Sequence, residues 1–239
     1  MDDYNLTISD LWEKNHDRRA AVKRLYIVVE GQTEQEFVNS LIAPYLQKSE
    51  IYSVTPVLIR TSRSGRGGMV NYQHLYNTIK MLLASSQTDF VVTTLIDFFR
   101  LPNDMPNYAE CTAVKDKTQC VEALENAVDD CVCDSRFFSY IQLHEFEALL
   151  FSSNKGFECY FSDEHASKTA SIISSYDNPE NINSSPEGAP SKRLLAIKPD
   201  YNKVLEGNLI ALEVGIEAII EKCPRFAEWM NSIVEKCKD

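Results

Sequence analysis

The sequence predicts an α/β fold, with a mostly parallel four-stranded sheet, helices on both faces and a helical C-terminal cap. Three observations support this prediction. Short apolar runs suit buried strands, amphipathic patterns separate these runs, and the last third of the chain carries helical patterns alone. Alternation of strands and helices favours a parallel sheet, because each helix carries the chain back to begin the next strand in the same direction.

The first strand is predicted for residues 25–29, an uninterrupted apolar run that ends at Glu30. Thr33 and Glu36 match a capping box, which predicts a helix beginning at Thr33. Pro44 is expected to kink or end that helix. Glu30 is therefore expected at the carboxyl end of a central strand, where ligands bind in open α/β sheets.

The remaining elements follow from the same patterns. In chain order we predict a strand at 54–59, a loop at 61–68, a helix at 72–83, a strand at 90–96, a helix at 116–131, a strand at 137–143, a loop at 174–190, and helices at 191–197, 209–222 and 224–236. We divide the chain into an N-terminal arm (1–23), an α/β core (24–160) and a helical C-terminal extension that packs on the core (161–239).

Composition restricts the classes of function. The 239 residues include 24 basic and 35 acidic side chains, a net charge of −11, which argues against a broad basic face for nonspecific duplex binding. A metal ion and a local basic loop could still attract nucleic acid. Seven cysteines without a C-x-x-C pair favour free thiols in a reducing cytoplasm. No apolar run is long enough to span a bilayer, so no membrane association is expected.

Acidic side chains follow three of the predicted strands. Glu30 ends the first strand with Glu34 one helical turn later, Asp97 ends another, and Glu145 and Glu147 follow a third. Because parallel strands end at one edge of the sheet, these carboxylates are expected to gather there. Oxygen ligands of this kind suit Mg²⁺ or Mn²⁺, which can polarise a phosphodiester and activate water. We therefore predict Glu30, Asp97, Glu145 and Glu147 as metal ligands.

His144 precedes these last acids but does not belong to a zinc-protease motif, because position 148 is Ala148. Three roles are open: a general acid or base, a partner that orients a carboxylate, or a strand-end histidine with no chemical role. The second role is favoured.

One loop is both basic and rich in glycine. Arg63 and Arg66 lie among the glycines of residues 63–68, where arginines and backbone N–H groups could hold a phosphate. The loop lacks the ending of a P-loop, and it could instead be a flexible surface loop. Arg100 could reach the same phosphate or pair with Glu145.

Several of these segments together resemble a known family. Glu30-Gly31 after an apolar strand, Asp97 within Thr94-Leu-Ile-Asp-Phe-Phe-Arg-Leu-Pro102, and His144-Glu-Phe-Glu-Ala-Leu-Leu-Phe151 resemble the TOPRIM-like family catalogued as DUF4276. The likeness resumes at Pro190-Ser-Lys-Arg-Leu-Leu195 and covers residues 201–229. The chain is also similar to the TOPRIM effector subunit of the PARIS anti-phage system.

The resemblance implies a fold and a chemistry. TOPRIM domains have a four-stranded parallel sheet, hold a divalent metal with one glutamate and a pair of aspartates, and cut, join or polymerise nucleic acid. Glu30 matches that glutamate and Asp97 the first aspartate. Phe99 stands where the second aspartate is expected, so Glu145 or Glu147 is the candidate replacement. Family members stand beside ABC-type or SMC-like ATPases, which implies an ATPase partner here.

Together these readings predict a metal-dependent nuclease of TOPRIM type that cleaves RNA, such as tRNA, or DNA, as an anti-phage defence effector controlled by a partner ATPase. Its catalytic residues would be Glu30, Glu34, Asp97 and His144, with Arg63, Arg66 and Arg100 on the nucleic acid. The alternative is a catalytically weak binding or regulatory subunit of an ATPase complex. A phosphatase acting on a small molecule is a third option, and a homodimer is left open.

Overall fold

The computed structural model describes residues 23–61, 68–182 and 188–238. All of the predicted N-terminal arm except Lys23 lies outside these residues, as do Arg63 and Arg66. The division of the chain into an arm, a core and an extension stays a prediction.

A parallel sheet forms the centre of the molecule and confirms the predicted fold class. The strands run in the spatial order β2-β1-β3-β4, β5 pairs with β3 beyond β4, and every pairing is parallel. Within the described residues the strands are β1 (Arg24–Val29), β2 (Val54–Leu58), β3 (Phe90–Asp97), β4 (Phe137–Phe138) and β5 (Ile141–Gln142). All eight residues of β3 are buried, as expected for a central strand covered on both faces.

One face of the sheet is covered by helices from the middle of the chain. These are α3 (Tyr72–Leu83), α4 (Tyr108–Thr112) and α5 (Lys117–Val132). Val28, Val92 and Ile96 of the sheet pack into this layer. Asp116 begins α5 as predicted, because its side chain accepts hydrogen bonds from the backbone N–H groups of Thr118 and Gln119.

The opposite face is covered by the first helical segment and by the C-terminal helices, and it receives Leu25, Ile27 and Val29. The first segment consists of α1 (Gln32–Phe37), a π-helical turn (Val38–Ile42) and α2 (Ala43–Gln47). The later elements are α6 (Glu147–Leu150), α7 (Lys155–Tyr160), α8 (Asp163–Ile173), a 3₁₀ turn (Pro179–Asn181), α9 (Pro190–Ile197), a second π-helical segment (Lys203–Gly207), α10 (Asn208–Val214), α11 (Ile216–Lys222) and α12 (Pro224–Lys238).

The beginning of the first helix differs from the prediction. The helix begins at Gln32 after Gly31, and no side chain caps it, so the capping box is wrong: Thr33 is buried within the first turn. Pro44 does not end the helix, which continues to Gln47. The π-helical turn before Pro44 accommodates the missing backbone N–H group of the proline.

The predicted strand at 137–143 is divided into β4 and β5. Between them the Thr94 hydroxyl donates to the carbonyl of Tyr140 and accepts from its N–H group, both at 2.8 Å. A side chain therefore replaces one rung of the backbone ladder. The predicted helix at 209–222 is also divided, because Gly215 adopts a left-handed φ of +82° between α10 and α11.

Among the described residues, six elements were not predicted: α4, α6, α7, α8, the 3₁₀ turn and the second π-helical segment. The longest, α8, buries only the small residues Ala166 and Thr169, so it shows no apolar stripe. Within the described ranges, no helix is both long and apolar enough to cross a membrane. All seven cysteines are free thiols.

Candidate functional site

The register of the sheet brings the first two predicted acids to one edge. Val29 pairs with Leu95 in the neighbouring strand, so Glu30 and Asp97 leave the sheet side by side at its carboxyl end. Asp97 in turn pairs with Gln142, and the chain crosses the same edge again two to five residues later. The predicted convergence of separate segments at this edge follows from this register.

A lysine that the sequence analysis did not single out lies at the centre of this edge. The ammonium nitrogen of Lys203 is 3.3 Å from Glu34 Oε1, 3.4 Å from Asp97 Oδ2 and 3.3 Å from Glu147 Oε2. Glu34 comes from α1, Asp97 from the end of β3 and Glu147 from the start of α6. We refer to Glu30, Glu34, Asp97 and Glu147 as the acid cluster.

The carboxylates around Lys203 are buried, so their charges are poorly solvated. Glu147 is 0% exposed and Asp97 is 8% exposed, whereas the Lys203 side chain retains 36% exposure. Burial raises the pKa of Asp97 well above its usual value, Lys203 opposes that rise, and the nearby carboxylates add to it. Burial also raises the pKa of Glu147, again against the influence of Lys203.

The carboxylates in turn act on the lysine. Burial alone would lower the pKa of the Lys203 ammonium, but the charges of Asp97, Glu147 and Glu34 outweigh burial and raise it. Lys203 is therefore a charged ammonium at neutral pH. One positive charge faces four acidic side chains, which leaves the site short of positive charge.

Asp97 is held by a backbone hydrogen bond, whereas the carboxylate of Glu147 has no hydrogen bond in the described part of the chain. Oδ1 of Asp97 accepts a 2.9 Å hydrogen bond from the backbone N–H of Phe146. Neither carboxylate oxygen of Glu147 has a hydrogen bond in the described part of the chain, and the 3.3 Å contact with Lys203 is an ion pair without hydrogen-bond geometry. A fully buried carboxylate without hydrogen bonds lowers the stability of the folded state, because the contacts it makes do not replace its lost hydration.

Glu30 lies beside these three acids but makes no ion pair with Lys203 in the described ranges. Burial raises the pKa of Glu30, the neighbouring Glu34 adds to the rise, and Lys203 opposes it together with backbone hydrogen bonds from Met69 and Asp97. The backbone carbonyl of Glu30 accepts a hydrogen bond from Gly68 at 2.8 Å. This contact joins the end of β1 to the end of the predicted phosphate-binding loop.

Glu145 makes structural contacts away from Lys203. Its carboxylate accepts hydrogen bonds from the backbone N–H of Ser191 at 3.0 Å and from the Ser191 hydroxyl at 2.9 Å. These contacts hold the first turn of α9. Of the two glutamates proposed to replace the missing second aspartate, the structure places Glu147 against Lys203 and Glu145 against Ser191.

His144 shapes the chain before α6. Its backbone adopts a left-handed φ of +72°, and its carbonyl accepts a 2.7 Å hydrogen bond from the N–H of Phe99. Burial lowers the pKa of its imidazole to about 4, although a hydrogen bond to the backbone of Glu180 opposes this. The imidazole is therefore neutral at pH 7. It makes no ion pair with an acid of the cluster among the described residues.

Of the three arginines predicted to contact phosphate, the structure describes only Arg100. Arg63 and Arg66 lie outside the described residues. Arg100 has a left-handed φ of +67°, and its guanidinium lies 5.3 Å from the centre of the Phe99 ring. Nowhere in the described ranges does Arg100 form the ion pair with Glu145 that we considered.

The donor set of the acid cluster suits a hard divalent cation, because all its donors are carboxylate oxygens. In the described arrangement, however, no three Asp, Glu, His or Cys side chains are placed to hold a metal ion directly. Lys203 occupies the point on which three of the carboxylates converge. A metal held by Glu30, Asp97 and Glu147 therefore requires the lysine side chain to move, and the orphaned oxygens of Glu147 are the donors that would gain most.

No local pattern of the sequence points to Lys203. It lies 106 residues from Asp97, where Val204 and Leu205 form an isolated apolar pair that matches neither a strand nor a helix pattern. The only indication was that residues 201–229 belong to the stretch that resembles the family.

Comparison with known proteins gives a structural neighbour and a family. The fold is similar to the "C-terminal region of the Burkholderia pseudomallei OLD protein", with a TM-score of 0.44 and 17% identity, over 91% of this chain and 98% of that chain. This likeness does not bear on activity. No curated protein matches the sequence. The family model DUF4276, a domain of unknown function, matches residues 29–234, and the chain therefore belongs to the DUF4276 family.

Proposed function

We propose that the protein is a metal-dependent nuclease that hydrolyses phosphodiester bonds of RNA or DNA at the acid cluster. One observation carries this proposal. Buried carboxylates from three separate segments converge on a single ammonium at the carboxyl edge of a parallel sheet. Such an arrangement costs folding free energy that an apolar core would not, and groups of this kind occur mainly where chemistry requires them.

Each residue of the cluster has a distinct part in the proposal. Glu30, Asp97 and Glu147 would hold Mg²⁺ or Mn²⁺, which when bound supplies positive charge at the phosphate and lowers the pKa of a water molecule. Asp97 is oriented for this by the Phe146 N–H group. Glu34 holds Lys203, whose ammonium can donate to a phosphate oxygen once it leaves the carboxylates.

The wider proposal keeps the remaining predictions. With a net charge of −11, the protein needs local positive charge to attract nucleic acid, and we assign this to Arg63, Arg66 and Arg100 with Lys203. Action on tRNA, a role in anti-phage defence and control by an ATPase are proposed on the resemblance alone, and location in the cytoplasm is proposed on the free cysteines. His144 is a positioning residue in this proposal, because its left-handed backbone turns the chain just before α6, which carries Glu147.

A second candidate function is a catalytically weak binding or regulatory subunit. Two observations favour it. Lys203 already neutralises part of the acid cluster, and Phe99 occupies the position of the second aspartate with its ring against Arg100. In this case the acid–lysine cluster would be structural, and the protein would act by binding an ATPase.

Cleavage assays with matched variants separate the two. Purified protein is incubated with Mg²⁺ or Mn²⁺ and with tRNA, other RNA, and single- and double-stranded DNA. We expect divalent-dependent cleavage that Glu30→Ala and Asp97→Asn each reduce by more than the roughly 10–100-fold cost of losing a supporting residue. Glu158→Gln, which removes an exposed acid of α7, is the control and should cleave normally.

Circular dichroism of the same variants shows whether the fold is kept. Absence of cleavage by the wild-type protein on every substrate, together with no Mn²⁺ binding by calorimetry, contradicts the nuclease proposal. Stable capture of an ATPase under those conditions would support the second candidate.

A further inference from the structure

A groove of about 470 Å³ lies beside the acid cluster, and the proposed chemistry does not use it. Gln32 and Gln35 of α1 line one side, and Val204, Leu205 and Leu212 line the other. Its volume is within the range of roughly 300–1,000 Å³ that is usual for small-ligand sites.

Both walls of the groove belong to chain segments that also contribute to the acid cluster. Gln32 and Gln35 flank Glu34 in α1, and Val204 follows Lys203 in the chain. The Asn208 amide donates a 3.3 Å hydrogen bond to the backbone carbonyl of Thr33, which ties the two walls together. The two segments that line the groove are therefore the ones that supply Glu34 and Lys203 to the cluster.

The apolar wall is unusually exposed. Val204, Leu205 and Leu212 are 45%, 61% and 47% exposed, although a folded chain normally covers such a group of neighbouring apolar side chains. No lysine or arginine is among the described lining residues, and the one charged residue is Glu36, whose carboxylate accepts a hydrogen bond from Ser40. This lining disfavours a phosphate and suits a flat group with apolar faces.

The polar groups of the groove are mainly amides, which both donate and accept hydrogen bonds. Gln32, Gln35 and Asn208 supply three of them, and Glu36 can accept from an amino group. Oδ1 of Asn208, itself 4% exposed, has no hydrogen-bond partner in the described part of the chain. A nucleobase offers the matching features: apolar faces, and an edge that carries donors and acceptors.

We propose that this groove binds an unpaired nucleobase next to the phosphate that is cut, so that the substrate is an unpaired strand or loop. This inference rests on the proposed nuclease function. A base in a regular duplex is stacked and paired, and it could enter the groove only by leaving the stack, which costs a few kcal/mol. In single strands and loops the base is already unpaired, so less free energy is needed to move it into the groove.

Binding measurements test the base site independently of cleavage. Uncharged nucleosides are titrated into metal-free protein, and the shifts of backbone amide NMR signals are followed. We expect shifts at residues 32–40 and 204–212. Single-stranded oligonucleotides with normal or abasic central positions, which carry equal charge, are then compared by fluorescence anisotropy. The normal strand should bind about 10-fold more tightly, because only its base can cover Val204, Leu205 and Leu212, and a 10-fold ratio corresponds to ~1.4 kcal/mol.

Leu205→Ala should remove most of this discrimination. Leu195→Ala is the matched control, because Leu195 is 44% exposed on α9 outside the groove. Three outcomes would each overturn the base site. They are equal affinity for normal and abasic strands, equal cleavage of duplex and single strand, and a Leu205→Ala variant that changes self-association but not nucleic-acid binding. Nucleoside binding without cleavage of any strand would overturn the nuclease proposal and leave the base site intact.

Discussion

The ammonium of Lys203 lies 3.3 Å from Oε2 of Glu147, a carboxylate that is fully buried and accepts no hydrogen bond in the described part of the chain. The two residues come from different segments of the C-terminal half and meet only because both reach the carboxyl edge of the sheet. A divalent cation at this position could neutralise the same carboxylates in place of the ammonium. Whether it does so can be measured as a change in the stability of variants that lack the lysine.

Lys203→Met should destabilise the protein at neutral pH, because Glu34, Asp97 and Glu147 lose their shared cation. We expect a loss of about 2–3 kcal/mol, below the ~3–5 kcal/mol typical of a fully buried pair because the lysine is partly exposed. Mn²⁺ should raise the melting temperature of this variant more than that of the wild type, since a metal can replace the missing charge. Thermal unfolding with and without Mn²⁺ measures both effects.

Lys155→Met is the matched control for this prediction. Lys155 pairs with Glu213 at 3.3 Å on the surface, where such a pair contributes ~0–1 kcal/mol. Its removal should leave both the stability and the response to Mn²⁺ near those of the wild type. An equal response of the two variants to Mn²⁺ would count against metal binding at the acid cluster.

Glu125 should make the protein less stable as pH rises from about 4.5 to about 7. Burial raises its pKa from 4.5 to about 7, although Arg225 at 2.7 Å opposes the rise. The folded state therefore holds a proton that the unfolded state has already lost, and stability falls with pH across this window, by on the order of 3 kcal/mol. The free energy of unfolding of the wild type minus that of Glu125→Gln, measured by denaturant unfolding at pH 4.5 to 8, isolates this group and should fall across the window.

Glu122→Gln serves as the control for Glu125→Gln. It removes a carboxylate from the same helix, but Glu122 is 54% exposed and lies 3.9 Å from Arg225. Its profile should follow that of the wild type. A difference between the wild type and Glu125→Gln that does not change with pH would show that Glu125 does not retain the proton.

His144 should act in the opposite direction. Burial lowers its pKa from 6.5 to about 4, so between these values the unfolded state binds the proton and the folded state does not. Stability therefore rises with pH from 4 to 6.5 and falls on acidification, by roughly 3 kcal/mol over the window. His144→Asn should keep the left-handed backbone, since Asn tolerates positive φ.

The same unfolding series checks this prediction. The free energy of unfolding of the wild type minus that of His144→Asn should rise from pH 4 to 6.5, and Glu125→Gln, which lacks the opposing decline, should show this rise most clearly. A difference between the wild type and His144→Asn that does not change with pH would mean that the imidazole does not control stability in this range.

The sheet and the acids at its ends could be predicted because both follow from local patterns and one general rule. Apolar runs identified β1 and β3, and parallel strands end at one edge, which placed Glu30 next to Asp97. The helices on both faces followed from amphipathic stripes. This part of the prediction needed no knowledge of distant contacts.

The separation of Glu145 from Glu147 could not be predicted in this way. In a strand the two side chains would share a face. Here the backbone turns left-handed at His144, and a helix begins at Glu147, so the two acids diverge toward Ser191 and Lys203. Lys203 itself reaches the site only through tertiary packing. The short π-helical segment that carries it has no sequence pattern from which that packing could be predicted.

The contact of α7 with α10 depends on Gly156 having no side chain, and this gives a prediction outside the acid cluster. A Cβ atom at Gly156 would overlap the carbonyl oxygen of Ile210, which is backbone and cannot turn aside. Gly156→Ala should therefore destabilise the protein by about 1–3 kcal/mol, as overpacking usually does. Ser167→Ala, a substitution at an exposed position of α8, should stay within ~0.5 kcal/mol of the wild type. Equal unfolding midpoints in denaturant for both variants would show that the two helices are not packed this closely.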